Sequence, residues 1–267
     1  MPDLRLSLVQ GATRWHDPAG NRAYYGDLIA PLAGATDLVV LPETFTSGFS
    51  NDAVDRAETM EGETVAWLRA QAKALDAAVT GSVQLRVGDA VFNRMLFATP
   101  DGALATYDKR HLFRYANEHR RYAPGRARLT LDWRGWRICP LVCYDLRFPV
   151  FARNRYDAER PGRLDYDLLL FVANWPAARR DPWRTLLRAR AIENLACVAA
   201  VNRVGRDGND LDYAGDSAVI DARGNTLVEL GAQEQVVTTT LSRSALDAFR
   251  EHFPAQLDAD RFELDGL

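Results

Sequence analysis

Glu43, Lys109 and Cys143 each stand where an apolar run stops, in "DLVVLPETF", "ALATYDKRHLF" and "RICPLVCYD". A thiol attacks a carbonyl carbon as its thiolate, so a neighbouring group must take the proton. A carboxylate does this once burial has raised its proton affinity toward neutrality. An ammonium beside it can hold a developing oxyanion, as can the backbone N–H after the nucleophile, here that of Tyr144. Such a set needs no histidine. "FVANWP" adds a fourth strand end of the same kind, with Asn174 and Trp175.

Each residue also has a structural reading. Glu43 follows Pro42 and could cap the next segment. Lys109 could pair with Asp108 or Asp145 on the surface. Free cysteine is among the most buried residue types, so Cys143 alone reads as a small core residue. Lysine usage favours a special role for Lys109. The chain has 33 basic residues, yet only Lys73 and Lys109 are lysines. Solvated charge is therefore carried by arginine, and a retained lysine points to a need for a compact ammonium rather than a planar fork. Lys73 lies in the helical surface pattern "AWLRAQAKALDAA" and reads as solvated charge.

Other chemistries fit less well. His111 is close to Lys109, but its place two residues past a strand end suggests packing or support. Cys139 and Cys143, four apart on an expected strand, would share a face, but no second Cys/His pair has zinc-ligand spacing. No Gly-rich phosphate loop joins a strand to a helix, and no serine stands in a GxSxG elbow.

These residues must be positioned by the elements around them. Strand-like runs are "LRLSLVQ", "DLVVLPET", "AAVTGSVQLRV", "VFNRMLFATP", "ALATYDKRHLF", "WRICPLVCYD", "DLLLFVANWP", "CVAAVNRV", "GDSAVID" and "TLVEL". Their β-branched content, bounded by Gly, Asp and Pro, carries the assignment. Helical patterns are expected over 17–32, 63–78, 148–156, 182–195 and 242–252, with Asp181 as N-cap and Pro182 at the first position of the fourth. The stretch around "PDG", Pro100 to Gly102, reads as successive antiparallel strands. The order is that of an α/β protein with mixed sheets, in which ligand crevices form outside the carboxyl ends of strands.

Composition sets wider limits. The chain has 267 residues, 47% hydrophobic and 26% charged, with a net charge of −3. That is ordinary for a globular protein and predicts no general attraction to nucleic acid or membranes. No apolar run approaches the roughly 20 residues of a membrane span, and "MPDLRLSLVQ" reads as a first strand rather than a signal peptide. Cys139, Cys143 and Cys197 are too few and scattered for a disulfide framework, which predicts a cytoplasmic protein. No linker or short repeat appears, so residues 1–267 are expected to form one domain. The tail from about Pro254 is expected to pack, in one arrangement on a second subunit.

The motifs together resemble those of the nitrilase superfamily of carbon–nitrogen hydrolases. "LPETFTSGF" carries the glutamate motif, "YDKRHLF" the lysine motif and "LVCYDLRFP" the cysteine motif, while "VANWP" and "RARAIEN" resemble the segments that follow. The resemblance extends over residues 4–245. It implies an α-β-β-α sandwich of two mixed sheets flanked by helices. It implies a Cys143–Glu43–Lys109 catalytic set, no metal and no organic cofactor. It also implies a homodimer or larger homo-oligomer, with "LRFPVFARN" at the subunit contact. The family's assisting glutamate, in the loop after the lysine motif, would be Glu118 in "ANEHRRYAPG"; its structural reading is a solvated loop acid.

Within the superfamily, "YDKRHLFRYANEH" and "VCYDLRFPVFARN" are most similar to the omega-amidases, which hydrolyse the terminal amide of short dicarboxylic acid monoamides such as 2-oxoglutaramate and succinamate. "CYDLRFP" is the amidase-like form of the cysteine motif. The alternatives are an N-carbamoyl or peptide-like amide hydrolase on the same fold, or a non-catalytic binding protein. An omega-amidase must grip the substrate's far carboxylate, for which Arg114, Tyr115 and Arg147 are candidates. Phe45, Phe113, Asn174 and Trp175 are expected around a small pocket, although core packing explains the aromatics nearly as well.

Overall fold

The computed structural model describes residues 2–157, 159, 164–260 and 262–263. Among them the chain runs β1 (Leu4–Gln10), α1 (Pro18–Ile29), β2 (Leu38–Val40), α2 (Glu63–Leu75), β3 (Ala78–Val87), β4 (Ala90–Ala98), β5 (Leu104–Asp108), β6 (Leu131–Trp133), β7 (Trp136–Val142), α3 (Pro149–Ala152), β8 (Leu168–Ala173), α4 (Arg180–Asn194), β9 (Cys197–Asn202), β10 (Val204–Arg206), β11 (Asp212–Ala214), β12 (Ala218–Ile220), β13 (Thr226–Glu229), β14 (Gln235–Leu241) and α5 (Arg243–His252). The strands form two six-stranded sheets, β14-β1-β2-β3-β4-β5 and β13-β12-β9-β8-β7-β6, and a separate β10-β11 hairpin that lies in the chain between β9 and β12. This is the expected α-β-β-α sandwich.

Alternation builds the layers. Leu4, Leu6 and Leu8 of β1 and Leu38 and Val40 of β2 face the second sheet, in one cluster with Ile138, Leu168, Leu170 and Val198. Val9, Val39 and Leu41 point the other way, onto Tyr25, Ile29, Val65 and Leu68 of α1 and α2. Period-2 strands buried on both faces read as near-continuous apolar runs, which is why these were legible.

Strand direction matters most for the site. β1, β2 and β3 are parallel, as are β7, β8 and β9. β3, β4 and β5 form the expected antiparallel meander, so β5 runs with β3. Glu43, Lys109, Cys143 and Asn174 thus all follow the carboxyl ends of strands in this frame.

Three helix expectations need correction. The pattern over 148–156 is instead a 3-10 turn at Cys143–Arg147 and a four-residue helix at Pro149–Ala152. Asn154 draws the chain away: its backbone N–H donates to Asn194 Oδ1 at 2.8 Å, and its side-chain amide exchanges hydrogen bonds with the backbone of Tyr166 at 2.9 and 3.0 Å. The fourth helix begins at Arg180 after Arg179, so Asp181 lies inside its first turn rather than capping it. The second ends at Leu75, where Asp76 turns left-handed (φ 51°) and releases Ala78 to β3. The fifth matches: Ser242 Oγ accepts from Ala245 N. Strands β6, β10, β11 and β14 lie outside the expected strand runs, of which "CVAAVNRV" reaches only the first residue of β10. β14 is a threonine-rich edge strand, half exposed, that pairs along all of β1.

No helix among the described residues is long and apolar enough to cross a membrane.

Candidate active site

Glu43, Lys109 and Cys143 line one cleft of about 290 Å³, at the small end for a small-molecule site, and Glu118 lies behind it on Lys109. Cys143 directly follows β7 and opens the 3-10 turn in the left-handed region, φ 46°. A non-glycine residue there is uncommon and strained, and it turns the thiol out of the sheet. Cys143 thus lies just past the strand end, at the edge of the core cluster that it shares with Cys139, which is fully buried between the sheets as expected.

One buried carboxylate braces this turn. Asp145 Oδ2 accepts from Val142 N at 3.0 Å and from the Tyr107 hydroxyl at 2.7 Å, while Oδ1 accepts from His111 N at 3.0 Å. His111 Nδ1 lies 2.8 Å from the same Oδ1, and its ring stacks on Phe148 at 3.7 Å. The histidine thus supports the strand end, as its sequence position suggested.

Lys109 continues the β4–β5 ladder by donating its backbone N–H to Asn93 O at 3.0 Å. Its ammonium is buried and donates to Glu43 Oε1 at 2.9 Å and Glu118 Oε1 at 3.0 Å. Glu118 is fully buried, not a solvated loop acid. Asn117, left-handed at φ 57°, curls the loop back so that Glu118 Oε2 accepts from Phe113 N at 2.5 Å. Glu43 is held by three donors: Lys109, the Asn93 side-chain amide on Oε1 at 2.7 Å, and Asn174 N on Oε2 at 2.7 Å.

Burial and the charge of Glu43 push the Cys143 thiol well above its ordinary pKa, against the pull of Lys109, and the thiol donates to Asn174 O at 3.9 Å. At rest the Cys143 side chain is therefore a neutral thiol beside the Glu43 carboxylate. Burial works against the Lys109 ammonium, but Glu118 and Glu43 outweigh it and hold that pKa well above the usual lysine value. Burial raises the Glu118 carboxyl, opposed by Lys109 and aided by the Glu43 charge. Two carboxylates around one ammonium leave a net negative charge under the thiol, an arrangement suited to moving a proton rather than to stability.

Several expected pocket residues lie elsewhere. Phe45 is in the core between Tyr25 and Trp67, with ring centroids at 5.8 and 5.7 Å. Trp175 packs on Trp183 and carries the Arg147 guanidinium over its face at 5.1 Å, so neither reaches the cleft. Arg114 faces a separate surface groove with Tyr144, and Tyr115 is 83% exposed. Phe113 and Asn174 do line the cleft. Asn174 donates through its side chain to Glu43 O and Thr44 Oγ1, at 2.6 and 3.0 Å.

The cleft also contains residues that sequence reasoning missed. Phe49 lies 5.2 Å from the Lys109 ammonium. Asp207, Asn209, Leu211 and Tyr213 come from the β10–β11 hairpin. Most telling is Arg179, whose guanidinium stacks over Phe113 and Tyr115 at 5.3 and 5.7 Å. No carboxylate among the described residues lies within ion-pair distance of it. Nothing in the sequence marked it among so many arginines. Asn93 did carry a signal, as a polar residue inside the apolar run "VFNRMLF".

Among the described residues no group of three or more His, Cys, Asp or Glu side chains could hold a metal ion.

Comparison with known proteins gives a consistent result. The carbon–nitrogen hydrolase family profile matches residues 5–251. Omega-amidase YafV of Escherichia coli K12 is 46% identical over 265 residues, covering 99% of this chain and 100% of the relative. A 2-oxoglutaramate amidase of Bacillus subtilis is 34% identical over 93% of this chain and 95% of the relative. The crystal structure of XC1258 from Xanthomonas campestris, a CN-hydrolase superfamily protein with an arsenic adduct in its active site, is 71% identical. It superposes with a TM-score of 0.98, over 99% of this chain and 100% of that one.

Proposed function

The chain belongs to the carbon–nitrogen hydrolase family, and from that premise we propose that it is an omega-amidase using Cys143 as nucleophile. Its substrates are short dicarboxylic acid monoamides such as 2-oxoglutaramate and succinamate. The observation that carries this reading is Arg179, a guanidinium with no carboxylate partner among the described residues, in the cleft that also contains Cys143 and Lys109. A planar fork with free donors suits a carboxylate, and the small cleft suits a short chain.

Glu43 takes the proton of Cys143, and the thiolate attacks the amide carbon. The oxyanion is held by the Lys109 ammonium and the Tyr144 N–H. As the C–N bond breaks, Glu43 or Glu118 returns a proton to the departing nitrogen and ammonia leaves. Water, deprotonated by the same carboxylate, attacks the thioester carbonyl; the C–S bond breaks, the acid is released and the thiol is restored. Holding the cation between two buried carboxylates keeps it charged and fixed before the reaction begins, the preorganisation on which oxyanion stabilisation depends.

We read the whole chain as one hydrolase domain, acting in the cytoplasm, where its three free buried cysteines would stay reduced. It forms a homodimer through the face of α3, α4 and the tail. Val150, Ile192, Phe253 and Leu257 are exposed apolar residues there, which supports this.

The test is ammonia release from 2-oxoglutaramate, succinamate, butyramide, glutamine, an N-carbamoyl amino acid and a simple nitrile. Succinamate should exceed its neutral counterpart butyramide. Arg179→Met should raise KM for succinamate about 10- to 100-fold, the size of a lost charge-assisted hydrogen bond, and leave butyramide unchanged. Equal use of both amides by the parent enzyme would refute the reading; preference for the N-carbamoyl substrate would replace it with the carbamoylase alternative.

A further inference from the structure

Asn93 is a side-chain amide set inside strand β4, fully enclosed, and neither composition nor core packing explains it. It is 1% exposed and lies among Phe92, Met95 and Leu96 in a strand that is otherwise apolar or outward-facing. Its Nδ2 donates to Glu43 Oε1 at 2.7 Å, and its backbone oxygen accepts the Lys109 N–H at 3.0 Å. The Oδ1 atom is buried with no hydrogen-bond partner among the described residues. The amide is oriented by chemistry, since turning Oδ1 toward a carboxylate would set two acceptors against each other. A buried orphan acceptor is costly, so packing alone would favour leucine, of nearly the same shape.

Counting lone pairs at Glu43 gives the reason to keep the amide. Oε1 accepts from both Asn93 Nδ2 and Lys109 Nζ, which uses its two in-plane lone pairs. Oε2 accepts from Asn174 N and has one left. Cys143 Sγ lies 3.9 Å from the carbonyl oxygen of Asn174, the residue whose N–H holds Oε2, so Oε2 is the oxygen on the thiol's side and its last lone pair is where the proton goes. Without Asn93, Oε1 would offer a second, unproductive proton site, and the carboxylate would lose a donor that favours its ionised form.

We propose that Asn93 is a positioning residue: it saturates Glu43 Oε1 and thereby directs the Cys143 proton to Oε2, while its backbone sets Lys109 beside the same carboxylate. The proposal builds on the assignment of Glu43 as base. It does not depend on which amide is the substrate.

The experiment is alkylation of Cys143 by iodoacetamide against pH, followed by mass spectrometry, in the parent, Asn93→Ala and Asn93→Leu proteins. Alkylation needs thiol deprotonation but no substrate, so it separates this proposal from the omega-amidase reading. Asn93→Leu keeps the volume, removes the orphan acceptor, and is expected to be at least as stable as the parent in urea. Its alkylation near neutral pH should nevertheless fall about 10- to 100-fold, with the acid limb moved to higher pH. In ammonia release kcat should fall by a similar factor, with KM within about threefold. A folded leucine variant whose alkylation profile superposes on the parent's would overturn the proposal. So would loss of the folded state in both variants, because Asn93 would then be a structural residue.

Discussion

Strand β8 separates two buried ionic clusters built on opposite ratios of charge. Asn174, just past its carboxyl end, reaches Glu43 in the cluster of two carboxylates and one ammonium. Asp167, just before its amino end, is the one buried carboxylate among three guanidinium groups, of which Arg243 also pairs with the half-exposed Asp247 at 2.9 Å. Arg250 Nη1 donates to Asp167 Oδ1 at 2.6 Å, Arg243 Nη1 to Oδ2 at 2.9 Å, and the Arg137 backbone N–H to Oδ2 at 3.0 Å. A longer contact of 3.3 Å joins Arg137 Nη2 to Oδ1. Both carboxylates are removed from water, yet their responses differ. Burial prevails at Glu118 and raises its carboxyl; at Asp167 the cations prevail and lower it to about 2. Where acids outnumber the cation, proton affinity is poised for transfer. Where cations outnumber the acid, the proton is excluded and β8 is fastened to α5 and β7.

The largest effect that can break this comparison is at the thiol. Cys143→Ala should lower ammonia release by about 10⁴-fold or more, since removing a nucleophile that acts with its partners costs nearly the whole of their joint effect. Its urea stability should stay within about 1 kcal/mol of the parent. Substantial turnover by the folded alanine protein would remove the catalytic reading of that end of β8.

Next in size is the other end. Asp167→Ala leaves three guanidinium groups, each largely buried, without their shared anion. Breaking a buried pair from one side typically costs about 3–5 kcal/mol. Urea denaturation should show this loss, while kcat/KM of the remaining folded protein stays within about threefold of the parent. A stable Asp167→Ala protein with poor turnover would mean that the two clusters are coupled through β8.

The two clusters also differ in how far the sequence announced them. Glu43, Lys109 and Cys143 end long apolar runs, and Lys109 stood out against an arginine-rich background. The parallel strands were legible because both of their faces are buried. The Asp167 cluster was illegible for the converse reason: its cations are arginines from β7 and α5, 30 to 83 residues away along the chain, in a protein where arginine marks nothing. Arg179 was hidden in the same way. The misplaced aromatics Phe45 and Trp175 follow apolar runs as the site residues do. Only the fold decides which side chain at a strand end turns into the cleft and which turns into the core. β14 escaped notice because an edge strand with alternate exposure offers threonine and valine in place of a continuous apolar run.

The smallest effect is the pH dependence carried by Asp167. Burial alone would raise its carboxyl, but Arg250, the Arg137 N–H and the other guanidinium groups outweigh burial and hold it near 2, against an ordinary 3.8. The unfolded chain therefore binds this proton more tightly than the folded one. Its contribution to stability, about 2 kcal/mol, is complete above the ordinary value and is lost as pH falls through 3.8 toward 2. Glu118 acts with the opposite sign: a raised carboxyl favours the folded state at low pH and loses that contribution as pH rises from 4.5, its ordinary value. Asp167→Asn should therefore remove about 2 kcal/mol of the acid-side slope between pH 4 and 2 in urea denaturation, while Glu118→Gln leaves that slope in place. Parallel acid slopes for Asp167→Asn and the parent would show that the guanidinium groups do not hold the proton off Asp167. The contrast between the ends of β8 would then rest on burial alone.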